Sequence, residues 1–264
     1  MPDSKELSII IVNYRSEQYL ENCLASLFSE LTVGIDFEVI VVNNDEAGKL
    51  RGVLRDFSLV RVIQQNRNSG FGAANNLGAA RAGGRLLWFL NPDTEIKTGI
   101  KSIIETFNKD SGTGIVGAGL VTADSQAQPW AAGAEVGILG LIRNNLGFPA
   151  SKMIWNSEKT REAAWVSGGA MFVKKEVFAA TGGFDEKFFM YYEDIDLCRR
   201  VRIAGKKVVY CPEVKVKHIG GSSWQDEKTQ KSDYYKSQNY YFAKHYGRLQ
   251  SGLVTALRKI FANK

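Results

Sequence analysis

The distribution of apolar residues near the start of the chain predicts a strand, a helix and a second strand. Continuous apolar runs at 7–12 and 37–42 predict strands that are buried on both faces of a parallel sheet. Between these runs, apolar residues from Tyr19 to Leu31 recur at helical spacing. Ser16 stands where the N-cap of this helix is expected.

The same pattern continues up to about residue 95. Short apolar runs at 60–63 and 86–90 predict two more strands, and an alanine-rich helix is predicted between them at 72–82. Such alternation is typical of a doubly wound α/β sheet, whose ligand site lies beyond the carboxyl ends of its strands.

Polar residues follow each of these four strands. They are Asn13, Tyr14 and Ser16 after the first, Asn43, Asn44 and Asp45 after the second, Asn68 after the third, and Asn91 and Asp93 after the fourth. Because parallel strands end at one edge of a sheet, these residues are predicted to line a shared polar crevice.

The second half of the chain is less regular. Runs at 115–121 and 165–173 predict strands, and the second carries Ser167-Gly168-Gly169 in its middle. Glycine inside a strand often marks the close approach of a ligand. The intervening residues 122–164 are predicted to form a long loop, and either this loop or the C-terminal helix is expected to close over the substrate.

Two helices and a strand complete the pattern. We predict a helix at 193–204, a strand at 207–211 and an aromatic, basic helix at 231–246. No linker or repeat interrupts the chain, so one fused domain with a C-terminal extension from about residue 226 is expected.

Composition favours an ordinary globular protein of 264 residues that is 44% apolar and 23% charged. No charged-then-apolar leader precedes the first strand, and no apolar run approaches the roughly 18 residues that span a membrane. We therefore expect a cytoplasmic protein. Three scattered cysteines, Cys23, Cys198 and Cys211, predict buried thiols and no disulfide.

Positive charge is concentrated near the C-terminus. The net charge is +6, and residues 206–264 contain twelve Lys or Arg against four Asp or Glu. This pattern indicates either an anionic partner or a solvated face. Residues 253–264 have the pattern of a short basic amphipathic helix, which is compatible with peripheral membrane contact, docking on its own domain, or a homodimer contact.

Three motifs carry candidate chemistry. Asp93 lies just past a buried strand, where it either binds a hard divalent cation or stands in a proline turn. Glu193 and Asp194 begin a helix, a place that acids favour in any case, and we predict that Asp194 is the member facing a substrate. His218, followed by glycines, is either a ligand or a structural histidine.

Two other motifs are predicted to be structural. Gly70-Phe71-Gly72 lacks the third glycine of a dinucleotide fingerprint and follows the third strand instead of the first. Asp196 has Arg199 and Arg200 three and four residues further on, so an ion pair along the helix is expected.

Taken in order, these motifs resemble the family 2 nucleotide-sugar glycosyltransferases of the GT-A fold, and especially their bacterial rhamnosyltransferase-like members. The resemblance covers nearly the whole chain, from about residue 7 to about residue 247. It is carried by segments 8–14, 41–44, 66–76, 90–94, 166–170, 182–186, 192–197 and 216–222.

The resemblance implies a GT-A domain over 1–225, with a nucleotide-binding half to about 95, an acceptor half beyond it, and a helical extension over 226–264.

It also implies roles for single residues. Asp93, the last carboxylate of a reduced DxD motif, would hold Mn²⁺ or Mg²⁺ together with His218, and Asp194, paired with Glu193, would be the catalytic base. Donor-binding positions would be Asn13, Tyr14, Ser16, Asn43, Asn44, Asp45, Asn68, Gly70, Phe71, Asn75 and Asn91, and Ser167, Gly168 and Gly169 would face the acceptor.

The function implied is inverting transfer of a sugar from a dTDP- or UDP-linked donor, with dTDP-rhamnose favoured. The acceptor would be a glycan or a lipid-linked sugar in cell-envelope polysaccharide synthesis. Asn43 departs from the aspartate usual in this family, although its carbonyl can still accept a hydrogen bond from the base.

Two other classes of function compete with this one. A catalytically silent nucleotide-sugar or carbohydrate-binding protein would explain the reduced DxD motif and Asn43. A nucleic-acid surface would explain the tyrosines and lysines of 231–246, but those aromatics recur at helical spacing and are predicted to pack on the core. We therefore expect no nucleic-acid partner.

Overall fold

The computed structural model describes residues 5–31, 34–45, 50–65, 67–220 and 227–261, without the side chains of 51, 260 and 261. Parts of three segments used in the sequence analysis therefore lie outside the described residues: residue 66 of 66–76, residues 221 and 222 of 216–222, and residues 262–264 of 253–264.

The described residues form strands and helices that alternate along the first half of the chain. The strands are β1 (Leu7–Asn13), β2 (Phe37–Asn43), β3 (Val60–Gln64), β4 (Leu86–Leu90), β5 (Thr94–Ile96), β6 (Thr113–Val121), β7 (Ala132–Gly133), β8 (Arg161–Glu162), β9 (Trp165–Val166), β10 (Ala170–Lys174) and β11 (Lys207–His218). The helices are α1 (Glu17–Glu30), α2 (Leu50–Val53), α3 (Phe71–Ala79), α4 (Lys101–Lys109), α5 (Ile138–Asn145), α6 (Lys152–Trp155), α7 (Lys175–Ala180), α8 (Glu193–Ile203), α9 (Glu227–Tyr246) and α10 (Arg248–Phe261), with a 3₁₀ turn at Leu54–Asp56.

The main sheet has the order β3-β2-β1-β4-β10-β6-β11-β5, and β8 pairs with β11 at its side. β1 is parallel to both β2 and β4, and β2 is parallel to β3. β10 runs antiparallel to its neighbours β4 and β6, whereas β11 is parallel to β6. The predicted doubly wound, mainly parallel sheet is therefore confirmed, with one reversed strand in its centre.

Helix α3 packs closely against the central strands because of a glycine. A β-carbon on Gly78 would lie 2.5 Å from Cγ2 of Ile10 on β1, so a larger residue would push the helix away from the sheet. α1 buries Leu20, Cys23, Leu24 and Leu27 on the sheet, as its spacing predicted. All three cysteines are buried and free, also as predicted.

Ser16 does not cap α1 with its side chain. Its hydroxyl donates to the Tyr14 carbonyl at 2.9 Å, and no side-chain cap bond is made to the helix. The predicted N-cap position of Ser16 is therefore confirmed, although its hydroxyl stabilises the turn after β1 and does not bond to the helix.

The predicted strand at 165–173 is two strands separated by Ser167-Gly168-Gly169. The backbone N–H of Ser167 donates to the Ala131 carbonyl, and that of Gly168 donates to the Asp194 carboxylate. The Gly169 carbonyl accepts from the Asn91 N–H. These groups bond to loops and a side chain, so the ladder stops there.

The structure also differs from the predictions in the segment at 122–164 and at the end of β11. Residues 122–164 contain β7, α5, α6 and β8 and are not a structureless loop. β11 extends to His218, seven residues beyond the predicted end, because it pairs with β6 and then with β5. This extension carries His218 next to Asp93.

The aromatic helix α9 packs on the domain, as predicted. Tyr241 and Phe242 are buried in a cluster with Phe188, Tyr192 and Val254 of α10. α10 is held to α9 by Ser251 and Thr255, whose hydroxyls donate to the Asn239 backbone and side-chain oxygens. In the described part of the chain, no helix has both the length and the hydrophobicity needed to cross a bilayer. The domain boundaries and the homodimer stay predictions.

Candidate functional site

A cavity of about 1100 Å³ lies beyond the carboxyl ends of the central strands. Most of the predicted site residues line it: Tyr14, Asn44, Asn68, Gly70, Phe71, Asn91, Asp93, Ser167, Gly168, Gly169, Glu193, Asp194 and His218. The fold thus brings together the predicted donor, acceptor, metal and acid residues.

Asn13, Ser16, Asn43, Asp45 and Asn75 do not line this cavity. Asn13 donates to Asn43 Oδ1 at 3.0 Å, and Asn43 in turn donates to Gln64 Oε1 at 2.9 Å. Asn75 donates to the Phe71 carbonyl at 3.0 Å. These amides lie in the wall behind the cavity, where they hold the ends of β1 and β2 and the start of α3.

The loop after β3 is shaped by two asparagines and a glycine. Asn44 donates to Asn68 Oδ1 at 2.8 Å, and Asn68 Oδ1 also accepts the Gly70 N–H at 3.0 Å. Gly70 has φ +88°, and a β-carbon there would lie 2.5 Å from the Phe189 carbonyl oxygen. Only glycine fits this turn, which places Phe71 at the start of α3.

One end of the cavity is formed by Asp93 and His218. Asp93 Oδ1 lies 3.4 Å from His218 Nε2, and Asp93 Oδ2 accepts the Gly220 N–H at 3.1 Å. His218 Nδ1 lies 3.0 Å from Gln128 Oε1, and Nε2 lies 3.1 Å from Asn91 Nδ2. This pattern assigns the ring proton to Nδ1, which donates to Gln128, whereas Nε2 accepts from Asn91 Nδ2 and lies beside Asp93.

This end of the cavity fits a divalent cation of the Mn²⁺ or Mg²⁺ type. A carboxylate oxygen and an imidazole nitrogen are ligands that Mn²⁺ accepts, and such ions take their remaining ligands from phosphate and water. Among the described residues, no group of three or more His, Cys, Asp or Glu side chains is arranged so that it could hold a metal ion. The two side chains therefore suit an ion that arrives with an anionic ligand, not a closed structural site.

The opposite wall carries the acid pair at the N-terminus of α8. Asp194 Oδ2 accepts the Gly168 N–H at 2.9 Å, and Oδ1 accepts the Ile195 N–H at 2.8 Å. Burial raises the pKa of Asp194, although the Gly168 and Ile195 N–H groups oppose this shift. Burial, reinforced by the charge of Asp194, raises the pKa of Glu193 well above its usual range. The pKa of Glu193 is thus raised further than that of Asp194, which favours Asp194 as the member that ionises first.

Backbone strain is concentrated around the cavity. Arg15, Trp130, Tyr191 and Tyr192 all line it and have φ between +54° and +68°. Residues other than glycine rarely adopt this left-handed region, and such strain gathers at functional sites. Tyr191 and Tyr192 are consecutive, and they set the direction of the chain as it enters Glu193 and Asp194.

Several cavity residues were not predicted from the sequence. Gln128 and Trp130 come from the segment at 122–164, and Tyr235 and Arg258 come from α9 and α10. The sequence around each of these residues gives no indication of a functional role, because each residue reaches the cavity only when distant segments pack together. The Trp130 ring, which lies 4.8 Å from that of Trp155, occurs in a segment without periodicity.

Fold and cavity together define an enzyme of the doubly wound α/β class, with its site at the carboxyl edge of the parallel strands. Within that class, the chain belongs to the family described as Glycosyl transferase family 2, whose model matches residues 8–177. A second model, Glycosyl transferase family group 2, matches residues 148–263. The protein is a family 2 glycosyltransferase, as the motifs predicted.

Curated relatives resemble most of the chain. The N-acetylglucosaminyl-diphospho-decaprenol L-rhamnosyltransferase of Mycobacterium tuberculosis (strain CDC 1551 / Oshkosh) is 27% identical over 96% of this chain and 89% of its own length. The dTDP-rhamnosyl transferase RfbF of Shigella flexneri is 28% identical over 80% of this chain and 68% of its own length.

Solved structures share the fold. A crystal structure of GalNAc-T7 with UDP, GalNAc and Mn²⁺ matches with a TM-score of 0.66 and 15% identity. The match covers 92% of this chain, which spans about half (51%) of that one. This likeness confirms the GT-A fold.

Proposed function

We propose that the protein is an inverting rhamnosyltransferase, which moves rhamnose from dTDP-rhamnose to a hydroxyl of a glycan or lipid-linked acceptor in cell-envelope polysaccharide synthesis. The observation that carries the proposal is the placement of Asp194, held by the Gly168 N–H, in the same cavity as Asp93 and His218. The names of the mycobacterial and Shigella relatives support the choice of sugar.

The reaction proceeds in one displacement. Asp194 takes the proton of the acceptor hydroxyl as its oxygen attacks the anomeric carbon of the donor sugar. The new carbon–oxygen bond forms while the bond to the nucleoside diphosphate breaks, and the anomeric centre inverts. Ser167-Gly168-Gly169 would face the acceptor beside Asp194, and the absence of a side chain at Gly168 lets this backbone pack against Phe71, since a β-carbon there would come within 3.1 Å of the ring.

Asp93 and His218 would hold the Mn²⁺ or Mg²⁺ ion. When bound, the ion neutralises the negative charge that develops on the departing diphosphate. Asp93 Oδ2 is oriented by the Gly220 N–H, and the His218 ring is oriented by Gln128.

The proposal is tested with a panel of donors. Binding and slow hydrolysis of dTDP-rhamnose, UDP-sugars and GDP-sugars are measured with Mn²⁺, with Mg²⁺ and with chelator. We expect dTDP-rhamnose to be preferred and the chelator to lower turnover. A preference for a different nucleotide-sugar would reject rhamnose as the sugar, and absence of turnover with every donor would reject the transferase itself.

Replacing Asp93 by asparagine is expected to weaken Mn²⁺ binding in the presence of dTDP by at least about tenfold, because a charged ligand is lost. Calorimetric titration of Mn²⁺ measures this without relying on turnover. The matched control is Glu95→Gln, whose carboxylate pairs with Lys97 and Lys217 and does not line the cavity. Equal Mn²⁺ affinity in wild type and Asp93→Asn would remove Asp93 from the metal site.

The raised pKa of Asp194 predicts how transfer depends on pH. The base acts only when ionised, so kcat/KM should fall as pH drops through a midpoint above 3.8, the ordinary value for this group. The pH profile of kcat/KM for the acceptor measures the midpoint, with donor affinity followed over the same range. A midpoint at or below 3.8 would show that burial does not govern the catalytic group.

A further inference from the structure

The chain enters the acid pair through two residues in a costly conformation. Tyr191 and Tyr192 have φ of +67° and +68°, and Tyr192 is the N-cap residue of α8, directly before Glu193. Residues other than glycine keep such a backbone only where the surrounding structure imposes it. The groups that hold these two tyrosines therefore also influence where Asp194 lies.

Helix α9 supplies two of these groups. Gln230 Nε2 donates to the Tyr191 hydroxyl at 2.8 Å, and Gln238 Nε2 donates to the Tyr192 hydroxyl at 2.9 Å. Positions 230 and 238 are about two turns of an α-helix apart, so the two glutamines share one face of α9. This face thus holds both tyrosines by their hydroxyl groups.

Gln238 is fixed in one orientation by its second partner. Its Oε1 accepts Nη2 of Arg258 at 2.7 Å, and a guanidinium can only donate, so the amide NH₂ group faces Tyr192. Gln238 is buried, and so is the neighbouring Ser237, whose hydroxyl donates to the Met190 carbonyl at 2.7 Å. The contact of α9 with this segment is therefore built from directed hydrogen bonds, which are costly to lose where water cannot replace them.

The ring of Tyr192 is held by packing as well. Its centre lies 5.4 Å from that of Tyr234 and 5.3 Å from that of Tyr241, both on α9. Its hydroxyl also lies 3.3 Å from the Tyr234 hydroxyl, a longer distance than that to Gln238. Because the ring has these other contacts, removing the hydroxyl alone separates the bond to Gln238 from the packing.

A shift of Tyr192 would be transmitted to Asp194 through the first turn of α8. The Tyr192 carbonyl accepts the Asp196 N–H at 2.8 Å, so the tyrosine is part of the hydrogen-bonded start of the helix. Gly168 holds Asp194 from the other side, since its N–H donates to the carboxylate at 2.9 Å. A base must lie within hydrogen-bond reach of the proton that it takes, and a displacement of about 1 Å can lower a rate by about 100-fold.

We propose that Gln238 positions the base Asp194 by holding the hydroxyl of Tyr192, so that helix α9 forms part of the support of the active site. This inference rests on the proposed transferase function, in which Asp194 takes the proton of the attacking hydroxyl. The aromatic, basic helix predicted at 231–246 then has a role in the reaction beyond packing on the domain.

The test uses slow hydrolysis of dTDP-rhamnose with Mn²⁺, in which water replaces the acceptor. Asp194 takes a proton of the water as its oxygen bonds to the anomeric carbon and dTDP leaves. Tyr192→Phe removes the hydroxyl and keeps the ring, and Gln238→Met removes the amide donor. Each variant is expected to lower kcat by about 10- to 100-fold, with KM for the donor within about threefold of wild type. The double variant should lose no more than either single variant, because both changes break the same bond.

Two controls separate positioning from a general loss of stability. Thr255→Val removes a hydroxyl that bonds to Asn239 and Ser251 outside the cavity lining, and it should leave kcat and KM as in wild type. Asp194→Asn is the positive control and should lower the same hydrolysis rate. Thermal unfolding and calorimetric binding of dTDP, measured for each variant, show whether the fold and the donor site are intact.

Wild-type kcat in Tyr192→Phe or Gln238→Met would overturn the inference, as would a loss that appears in KM for the donor or a comparable loss of kcat in Thr255→Val. Losses that multiply in the double variant would show that the two side chains do not act through one bond. If Gln238→Met does not fold, Tyr192→Phe, which removes only the hydroxyl, decides alone. Wild-type hydrolysis that neither variant changes rejects this inference and leaves the transferase standing, whereas absence of hydrolysis with every donor rejects both.

Discussion

Replacing Asp194 by asparagine is expected to lower kcat for sugar transfer by about 10²- to 10⁴-fold, because the amide cannot take the acceptor proton. Affinity for dTDP-rhamnose should change by less than about threefold, since the lost interaction belongs to the transition state. Asp194 accepts the Gly168 and Ile195 N–H groups, one at each carboxylate oxygen. An asparagine would turn its NH₂ group toward one of these donors, so thermal unfolding is measured together with kcat.

The neighbouring acid provides the matched control for this variant. Glu193 is buried, and burial together with the charge of Asp194 raises its pKa well above the usual range, which makes it the poorer candidate for the ionised base. Glu193→Gln is therefore expected to keep kcat within about tenfold of wild type. Transfer by Asp194→Asn at the wild-type rate, or a larger loss in Glu193→Gln, would assign the base to another residue.

Replacing Asp196 by asparagine is expected to cost about 3–5 kcal/mol of unfolding free energy, because it removes the fully buried carboxylate with which Arg200 and Lys244 pair. Asp196 is fully buried and bonds to Arg200 at 2.8 Å and to Lys244 and His245 at 2.7 Å. These contacts tie α8 to α9, so denaturant unfolding at neutral pH measures the loss. Arg199 does not take part, contrary to the prediction, since it pairs with Glu135 instead.

The same carboxylate gives the protein a defined acid dependence. Burial alone would raise the pKa of Asp196, but hydrogen bonds from His245, Lys244 and Arg200 hold it at about 2, against 3.8 ordinarily. For an acid whose folded-state pKa is lowered, the stabilisation is present above the unfolded value and disappears as pH falls through the folded value. About 2 kcal/mol of stability from this group should therefore be lost between roughly pH 4 and pH 2, and Asp196→Asn should lose that much less stability than wild type over the same range.

Asp124 provides the control for that measurement. It lies exposed in a turn, and asparagine there should change the unfolding free energy by less than about 0.5 kcal/mol. A comparable loss in both variants, or a wild-type pH slope in Asp196→Asn, would contradict the role of the buried ion pairs.

The hydrophobic pattern of the sequence was sufficient to predict the central parallel strands of the sheet that carries the site. The continuous apolar runs that became β1 and β2 are buried on both faces, and such runs predict central parallel strands. Their polar ends predicted the crevice, and the order of motifs from Asn13 to His218 predicted the family. These signals are local, so they can be read without knowledge of the fold.

Boundaries that depend on pairing partners could not be predicted. The peptide groups of Ser167, Gly168 and Gly169 bond to a loop, a carboxylate and Asn91, so the predicted strand divides into β9 and β10. β11 runs seven residues past its predicted end because β5 and β6 pair with it. Hydrogen bonds between distant segments decide both cases, and the local sequence does not contain them.

The sequence by itself determined the fold class, the family and several of the residues that line the cavity, among them Asp93, Asp194 and His218. Only the tertiary structure showed which amides face the cavity, since Asn13 and Asn43 bond to each other in the wall behind it. It also brought Gln128 to His218 and Arg258 to the cavity wall. The reason is that side chains from separate segments meet only after packing, whereas strand ends and buried runs are already set by the local order of residues.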